Sequence, residues 1–303
     1  MKVLVTGGAG FIGSHVTRLL LDSHHEVVVL DNLSKSIKES VDKRAKLIVG
    51  DINDSQKTKE ALKGADAVIH MAGLIVVPES VKDPIKYGQN NVLGSVNLLN
   101  CMKDVGVNKI IFSSSACVYG TPDRLPIRED AQLRPDNPYG ASKASIEAFL
   151  QSFHACFSMD TVILRYFNPY GPGEKHDPET HAIPNFIKAT LSKKPIPLYW
   201  KGEQIRDFIY IEDLAQAHVD VLKLSGFQIF NIGTEKGVKV KNVVDKIFEI
   251  VGYEVSLDDL GKRLGDVEAN YASSEKLKKA VGWSAKVDLP EGLKRTIDFY
   301  GKT

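Results

Sequence analysis

Tyr139 and Lys143 stand four residues apart in Tyr139-Gly140-Ala141-Ser142-Lys143, inside a stretch that reads as helix. At that spacing the two side chains share one helix face. A free phenol has a pKa of about 10 and is a poor base at neutral pH, but a neighbouring ammonium favours its phenolate. Upstream, Ser113, Ser114 and Ser115 follow Lys109-Ile110-Ile111-Phe112, so their hydroxyls fall at the carboxyl end of a strand. Open α/β sheets keep their ligands there. Together these residues suit proton transfer to and from a hydroxyl oxygen. A Tyr-x-x-x-Lys pair also arises on ordinary amphipathic helices, so its weight comes from the motifs earlier in the chain.

The first of these is Thr6-Gly7-Gly8-Ala9-Gly10-Phe11-Ile12-Gly13, directly after an amino-terminal apolar strand. Gly7, Gly10 and Gly13 give the tight turn and close backbone approach that a pyrophosphate needs, with a helix amino terminus aimed at it. Asp31 closes the second strand, 18 residues beyond Gly13, where a carboxylate can accept hydrogen bonds from an adenosine ribose. It would repel a 2′-phosphate and no Arg stands beside it, so NAD is expected rather than NADP. Asp51-Ile52 ends the third strand, where adenine would lie. An oxidised nicotinamide would add positive charge near Tyr139 and push further toward the phenolate.

Elements that could position these groups alternate through the first half. Apolar runs at Val3–Val5, Val27–Leu30, Leu47–Val49, Ala67–Ile69, Lys109–Phe112 and Val162–Leu164 read as strands buried on both faces. Helical segments between them include Asn90–Asp104 and Tyr139–Met159. The pattern predicts an α/β fold: a Rossmann-type doubly wound parallel sheet with a smaller interleaved carboxy-terminal domain. The expected division is 1–166 for the NAD-binding domain and 167–303 for the substrate domain, with strands near 206–233 returning to a sheet. Asn168-Pro169-Tyr170-Gly171-Pro172-Gly173 reads as loop, and Pro184, Pro195 and Pro197 break the next stretch into short pieces.

Composition narrows the function classes. With 39 Lys and Arg against 38 Asp and Glu the net charge is +1, which leaves no basic footprint for nucleic acid. Cys101, Cys117 and Cys156 have neither metal-ligand spacing nor an even count, so no metal and a reduced, cytoplasmic setting are expected. The amino terminus reads as a buried strand rather than a signal peptide. No run approaches the roughly 20 apolar residues that span a bilayer.

The motifs, from Thr6–His15 through Asp31-Asn32-Leu33, Gly50-Asp51-Ile52, His70-Met71-Ala72-Gly73, Pro78-Glu79-Ser80, Asn90-Asn91-Val92, Ser113–Gly120, Pro138–Lys143, Leu164–Pro169 and Arg206–Tyr210 to Arg263-Leu264-Gly265-Asp266, run the length of the chain. In this order they resemble the extended short-chain dehydrogenase/reductase superfamily and, within it, the UDP-hexose 4-epimerase family. The resemblance implies that Ser115 bonds the reacting sugar oxygen and that Tyr139 is the acid/base. Lys143 would hold the nicotinamide ribose and lower the tyrosine pKa. It assigns NAD contacts to Gly7, Gly10, Phe11, Ile12, Gly13, Asp31, Asn32, Leu33, Ser34, Asp51, Ile52, Met71, Ala72, Gly73, Asn91, Ser113 and Tyr166. On the substrate side it implies Asn168, His181 and Ala182 around the diphosphate, Arg206 and Arg263 on it, Tyr199 with Pro197 at uracil, and Asp266 at a ribose. Asn270 falls where a bulky tyrosine would exclude N-acetylated sugars and a smaller residue admits them. A homodimer through the Asn90–Asp104 and Tyr139–Met159 helices is also implied.

Two positions depart from that pattern. Ile75 stands where some members have a lysine that reaches the cofactor phosphates, and Cys117 where many have threonine. Ala116-Cys117 also occupies the place of the acidic pair that dehydratases use to eliminate water. The expected course is removal of the 4-hydroxyl proton by Tyr139, a 4-keto sugar, and hydride return on the opposite face. The resemblance leaves as alternatives a GDP-sugar epimerase-reductase, which shares a motif like His181-Ala182-Ile183-Pro184, and a UDP-uronate epimerase; an NAD-binding sensor is the alternative that is not an enzyme.

Overall fold

The structure is a computed structural model that describes residues 1–174, 181–262 and 267–302. The chain divides into two compact units, Met1–Gly120 with Gln132–Tyr166 and Ala215–Phe230, and Thr121–Ala131 with Phe167–Leu214 and the remainder from Asn231.

The first unit is built on strands β1 (Lys2–Thr6), β2 (Glu26–Asp31), β3 (Lys46–Val49), β4 (Ala67–His70), β5 (Lys109–Ser115) and β6 (Asp160–Tyr166). They lie in the order β6-β5-β4-β1-β2-β3, and each of these neighbouring pairs is parallel. A seventh strand, Phe227–Ile232, continues the sheet beyond β6. Strand order reverses between β1 and β4, the crevice at which such sheets bind dinucleotides. β1, β2, β4 and β6 are buried almost end to end, which explains their unbroken Val, Ile and Leu content. One layer of the core joins Leu4, Val28, Leu98, Met102, Ile110, Phe112, Ile146 and Leu150, locking the helices Gly94–Val105 and Pro138–Phe157 to the sheet.

The helix expected over Asn90–Asp104 begins differently. Gly88–Leu93 winds as a π-turn before the α-helix Gly94–Val105 takes over. π-turns concentrate at functional sites, and this one carries Asn91.

In the second unit, Asn168–Tyr170 is a strand rather than loop. It pairs in parallel with Phe208–Tyr210, and Asn168 N–H donates to Asp207 O at 2.9 Å. Of the two strands expected to return to a sheet, Phe227–Ile232 joins the large one and Phe208–Tyr210 this shorter pair. Pro169 has no N–H to give to a ladder, which is why the segment reads as loop; the flanking residues supply the bonds.

Candidate active site

β1 delivers the chain into the glycine turn. Gly7 adopts φ +72°, and a Cβ there would lie 2.7 Å from the Ala72 nitrogen. A Cβ on Gly13 would lie 2.2 Å from the Gly7 carbonyl, so only glycine lets the helix Phe11–Asp22 pack this close to β1. Gly10 caps that helix without a side chain, leaving its positive end to accept an anion. Asp31 is fixed beside it: Oδ2 accepts from Ala9 N at 3.0 Å, and Oδ1 from Leu33 N and Ser36 Oγ, each at 2.9 Å. Asn32 joins this corner to the next, donating to Asp51 Oδ2 at 2.8 Å and accepting from Ser34 N at 3.0 Å. Burial acts to raise the Asp51 carboxyl, but hydrogen bonds from Asn53 and Asn32 outweigh it and hold the group below its ordinary value. Ile52 is buried next to it. These features fit a dinucleotide: a glycine cradle that a Cβ would fill, and a fixed acid at the end of β2.

At the opposite side of the crevice, a buried relay fixes the loop after β4. Ser95 Oγ donates to Asn91 O at 2.5 Å, so it must accept from His70 Nε2–H, at 2.7 Å. His70 Nδ1 is then the acceptor from Thr6 Oγ1, also at 2.7 Å, and Thr6 Oγ1 in turn accepts from Met71 N and Ala72 N at 3.3 Å each. Burial, with Lys143 adding to it, holds His70 down to about 3, so this tautomer is neutral at any working pH. The Asn91 side chain completes the relay. It accepts from Leu74 N and donates to Leu74 O and to Ser142 Oγ, at 2.8, 2.9 and 3.1 Å, and so sets the path of Met71, Ala72 and Gly73.

The helix Pro138–Phe157 is capped by Asn137, whose side chain accepts from Gly140 N at 2.9 Å, while Ser80 Oγ accepts from Tyr139 N at 3.2 Å. Tyr139 is 9% exposed and Lys143 is 3% exposed. The Tyr139 hydroxyl hydrogen-bonds the Ser115 side chain, and Ser115 Oγ accepts from Cys117 N at 3.2 Å. Lys143 Nζ lies 4.8 Å from the Phe112 ring centre and donates to Ser113 O at 2.7 Å. Burial lowers the Lys143 ammonium to about 8, with Glu147 opposing that fall. Burial, and after it the nearby Cys117, push the Tyr139 phenol well above its ordinary value, and the Ser115 bond pulls it part of the way back. Burial is the largest influence on the phenol. Ser113 Oγ and His218 Nε2 both hydrogen-bond the Tyr166 hydroxyl, so these two expected cofactor contacts brace each other.

Within the second unit, Arg206 and Asn270 are neighbours in register on parallel strands. The Arg206 guanidinium donates to Ile205 O and Val267 O at 2.8 and 2.7 Å. Asn270 Oδ1 is buried without a hydrogen-bond partner among the described residues. Asn168 donates its side-chain amide to Asp207 O at 2.9 Å. Tyr199 opens a turn in which Trp200 and Lys201 both take positive φ, and Pro197 lies exposed in the strand Ile196–Leu198. His181 caps the helix Ala182–Leu191 and pairs with buried Glu174. Arg263 and Asp266 lie outside the described residues. No described group of three His, Cys, Asp or Glu side chains could hold a metal ion.

A model of the NAD dependent epimerase/dehydratase family matches residues 3–233. The chain belongs to this family. It is 39% identical to UDP-glucose 4-epimerase of Corynebacterium glutamicum, over 94% of this chain and 91% of that one. Among solved structures it is similar to UDP-glucose 4-epimerase of Thermus thermophilus in complex with NAD (TM-score 0.93, 35% identity, 99% of each chain). A UDP-N-acetylglucosamine 4-epimerase of Methanobrevibacter ruminantium in complex with UDP-N-acetylmuramic acid is as similar (TM-score 0.93, 34% identity, 99% of this chain and 97% of that one). Motif reasoning included Ser80 and Ser142 in its segments but gave them no role, and it passed over Ser95. Ser80, Ser95 and Ser142 hold Tyr139 and Asn91 through single hydroxyls, and a lone serine in a helix gives no sequence signal.

Proposed function

We propose that this chain interconverts UDP-hexoses at carbon 4 with NAD as its cofactor, and that Ser115, Tyr139 and Lys143 carry the chemistry. The observation behind the assignment is the buried Tyr139–Ser115 pair with Lys143 one helical turn away. NAD, when bound, supplies the acceptor and then the donor of the carbon-4 hydride. Gly7, Gly10 and Gly13 with the first turn of the following helix would take its pyrophosphate, Asp31 its adenosine ribose, and Lys143 the ribose next to the nicotinamide. Tyr139 takes the proton of the 4-hydroxyl as the hydride leaves and gives it back when the hydride returns to the other face. Ser115 donates to that same oxygen throughout and fixes its distance from the phenol. Because burial raises the phenol, its ionisation depends on positive charge brought close to it, which couples proton removal to the oxidised cofactor. Ala116-Cys117 provides no carboxylate for elimination, which favours epimerisation over dehydration.

The orphaned Asn270 Oδ1 extends the substrate range. A buried acceptor in the substrate unit suits the N–H of an acetamido group, and asparagine leaves more room than tyrosine. N-acetylated UDP-hexoses are accordingly included among the substrates. In the first unit Leu93, Val105, Phe149 and Phe157 are exposed on the 88–105 and 138–157 segments. That apolar surface supports a homodimer, and light scattering at micromolar concentration that gives a monomer mass would remove it. All three cysteines are free and no described helix is long and apolar enough to cross a membrane; both features suit the cytoplasm. Incubating the pure protein with UDP-galactose and resolving the sugar nucleotides tests the activity.

A further inference from the structure

Beside the strand that carries Ser115 lies a buried ion pair that touches neither cofactor nor sugar in the proposed reaction. Glu147 and Arg165 are 5% and 3% exposed at their side chains. The guanidinium meets the carboxylate as a fork, Nε to Oε1 at 3.0 Å and Nη2 to Oε2 at 2.6 Å. A buried pair of this kind is a weak stabilising device, because apolar residues of the same volume often serve a fold as well or better. Its reach explains its presence better than its strength does.

From this pair we infer that Glu147, oriented by Arg165, is a positioning residue that holds Ser115 and Lys143 in register with Tyr139. Its kinetic part rests on the 4-epimerase reading. Glu147 Oε1 accepts from Ser114 Oγ at 2.5 Å, gripping β5 one residue before Ser115. Ser114 and Arg165 stand opposite each other in the β5–β6 register. Arg165 Nη1 donates to Tyr119 Oη at 2.7 Å, and its guanidinium lies 4.8 Å from the Tyr119 ring centre. Tyr119 ends the short 3-10 turn Ala116–Val118 that Ser115 caps. The pair thus holds the chain on both sides of Ser115. Glu147 is on the catalytic helix one turn after Lys143 and two turns after Tyr139, so β5 and the helix are pinned through one carboxylate.

The same carboxylate sustains the charge on Lys143. The charged and titratable groups around that ammonium are His70 on β4, Tyr139 and Glu147 on its own helix, and, one contact further out, Arg165 and Tyr166 on β6 and Tyr119 after β5. His70 is neutral, so Glu147 is the anion in that set. Removing its charge would leave Lys143 and Arg165 as two buried cations with nothing between them.

Glu147→Gln keeps the shape and removes the charge. The expected result is a kcat lower on the order of 10²-fold with little change in KM, since the reacting groups are displaced and the nucleotide contacts are not. The alkaline limb of the pH profile should move to lower pH by roughly one unit or more. Lysine Nζ titration by NMR, with Lys143→Met identifying the signal, should move the same way and needs no sugar. Glu147→Asp should restore the limb without full kcat. Ser114→Ala should lower kcat and leave the limb in place, and it carries the test if Glu147→Gln does not fold. Unchanged kcat in Ser114→Ala, or a Glu147→Gln loss that follows thermal stability while the lysine titration stays put, would overturn the inference. Failure of the unmodified protein to act on any UDP-hexose would instead sink the epimerase reading, and the lysine titration would still decide the electrostatic half.

Discussion

Lys143→Met should make the protein more stable and catalytically dead. Burial lowers the Lys143 ammonium from an ordinary 10.5 to about 8. At ~1.4 kcal/mol per unit, keeping that charge buried costs about 3 kcal/mol at neutral pH. Methionine fills much the same volume without charge, but it leaves Ser113 O without its 2.7 Å donor, a loss of about 1 kcal/mol. The net expectation is a gain of about 2 kcal/mol at pH 7, read by urea unfolding followed by circular dichroism. The pH dependence has a definite sign. Below pH 8 Lys143 is protonated in both folded and unfolded states, and the full cost stands. Between 8 and 10.5 the unfolded state binds more protons, so the unmodified protein gains stability as pH rises and the advantage of the variant shrinks. Turnover should fall by at least about 10²-fold in the same variant. Marked destabilisation at pH 7, a stability difference flat from pH 7 to 10, or near-normal turnover would each refute this reasoning.

Other substitutions test neighbouring parts of the account. Tyr139→Phe should cut turnover by at least about 10²-fold while NAD stays bound, as read by nucleotide released on denaturation; ordinary epimerisation by this variant would remove Tyr139 as the acid/base. Asp31→Ala should narrow the preference for NAD over NADP in fluorescence titrations, because the carboxylate that repels a 2′-phosphate is gone. Equal affinity of the unmodified protein for both would contradict this. Asn270→Tyr should abolish activity on UDP-N-acetylglucosamine and spare UDP-galactose, since forcing bulk into a filled pocket costs about 1–3 kcal/mol or more. Equal use of acetylated sugars by the variant would dismiss the gate.

Much of the first unit could be read in the chain because its signals are local. Gly7, Gly10 and Gly13 sit within one turn, Asp31 ends the strand after the first helix, and Tyr139 and Lys143 share one helix face. The supporting contacts were not legible for the opposite reason. Lys143 reaches a backbone carbonyl 30 residues away, Thr6 reaches His70 across 64, and Arg165 finds Glu147 only once β6 lies on the catalytic helix. A carbonyl has no sequence signature, and a buried Glu or Arg looks like a surface one until its partner is known. The same holds for the second unit, where Pro169 disguises a strand that pairs with Phe208–Tyr210. That burial is the largest influence on the Tyr139 phenol could not be read either, because burial is a property of the fold.

The most direct test of the central claim is incubation of the pure protein, with NAD and no added reductant, with UDP-galactose and, separately, UDP-glucose. The account predicts that both reactions converge on the same mixture of the two sugars, with no net NADH formed and no product of lower mass. Two sugars that remain as supplied, or a product that has lost water or consumed reductant, would contradict it.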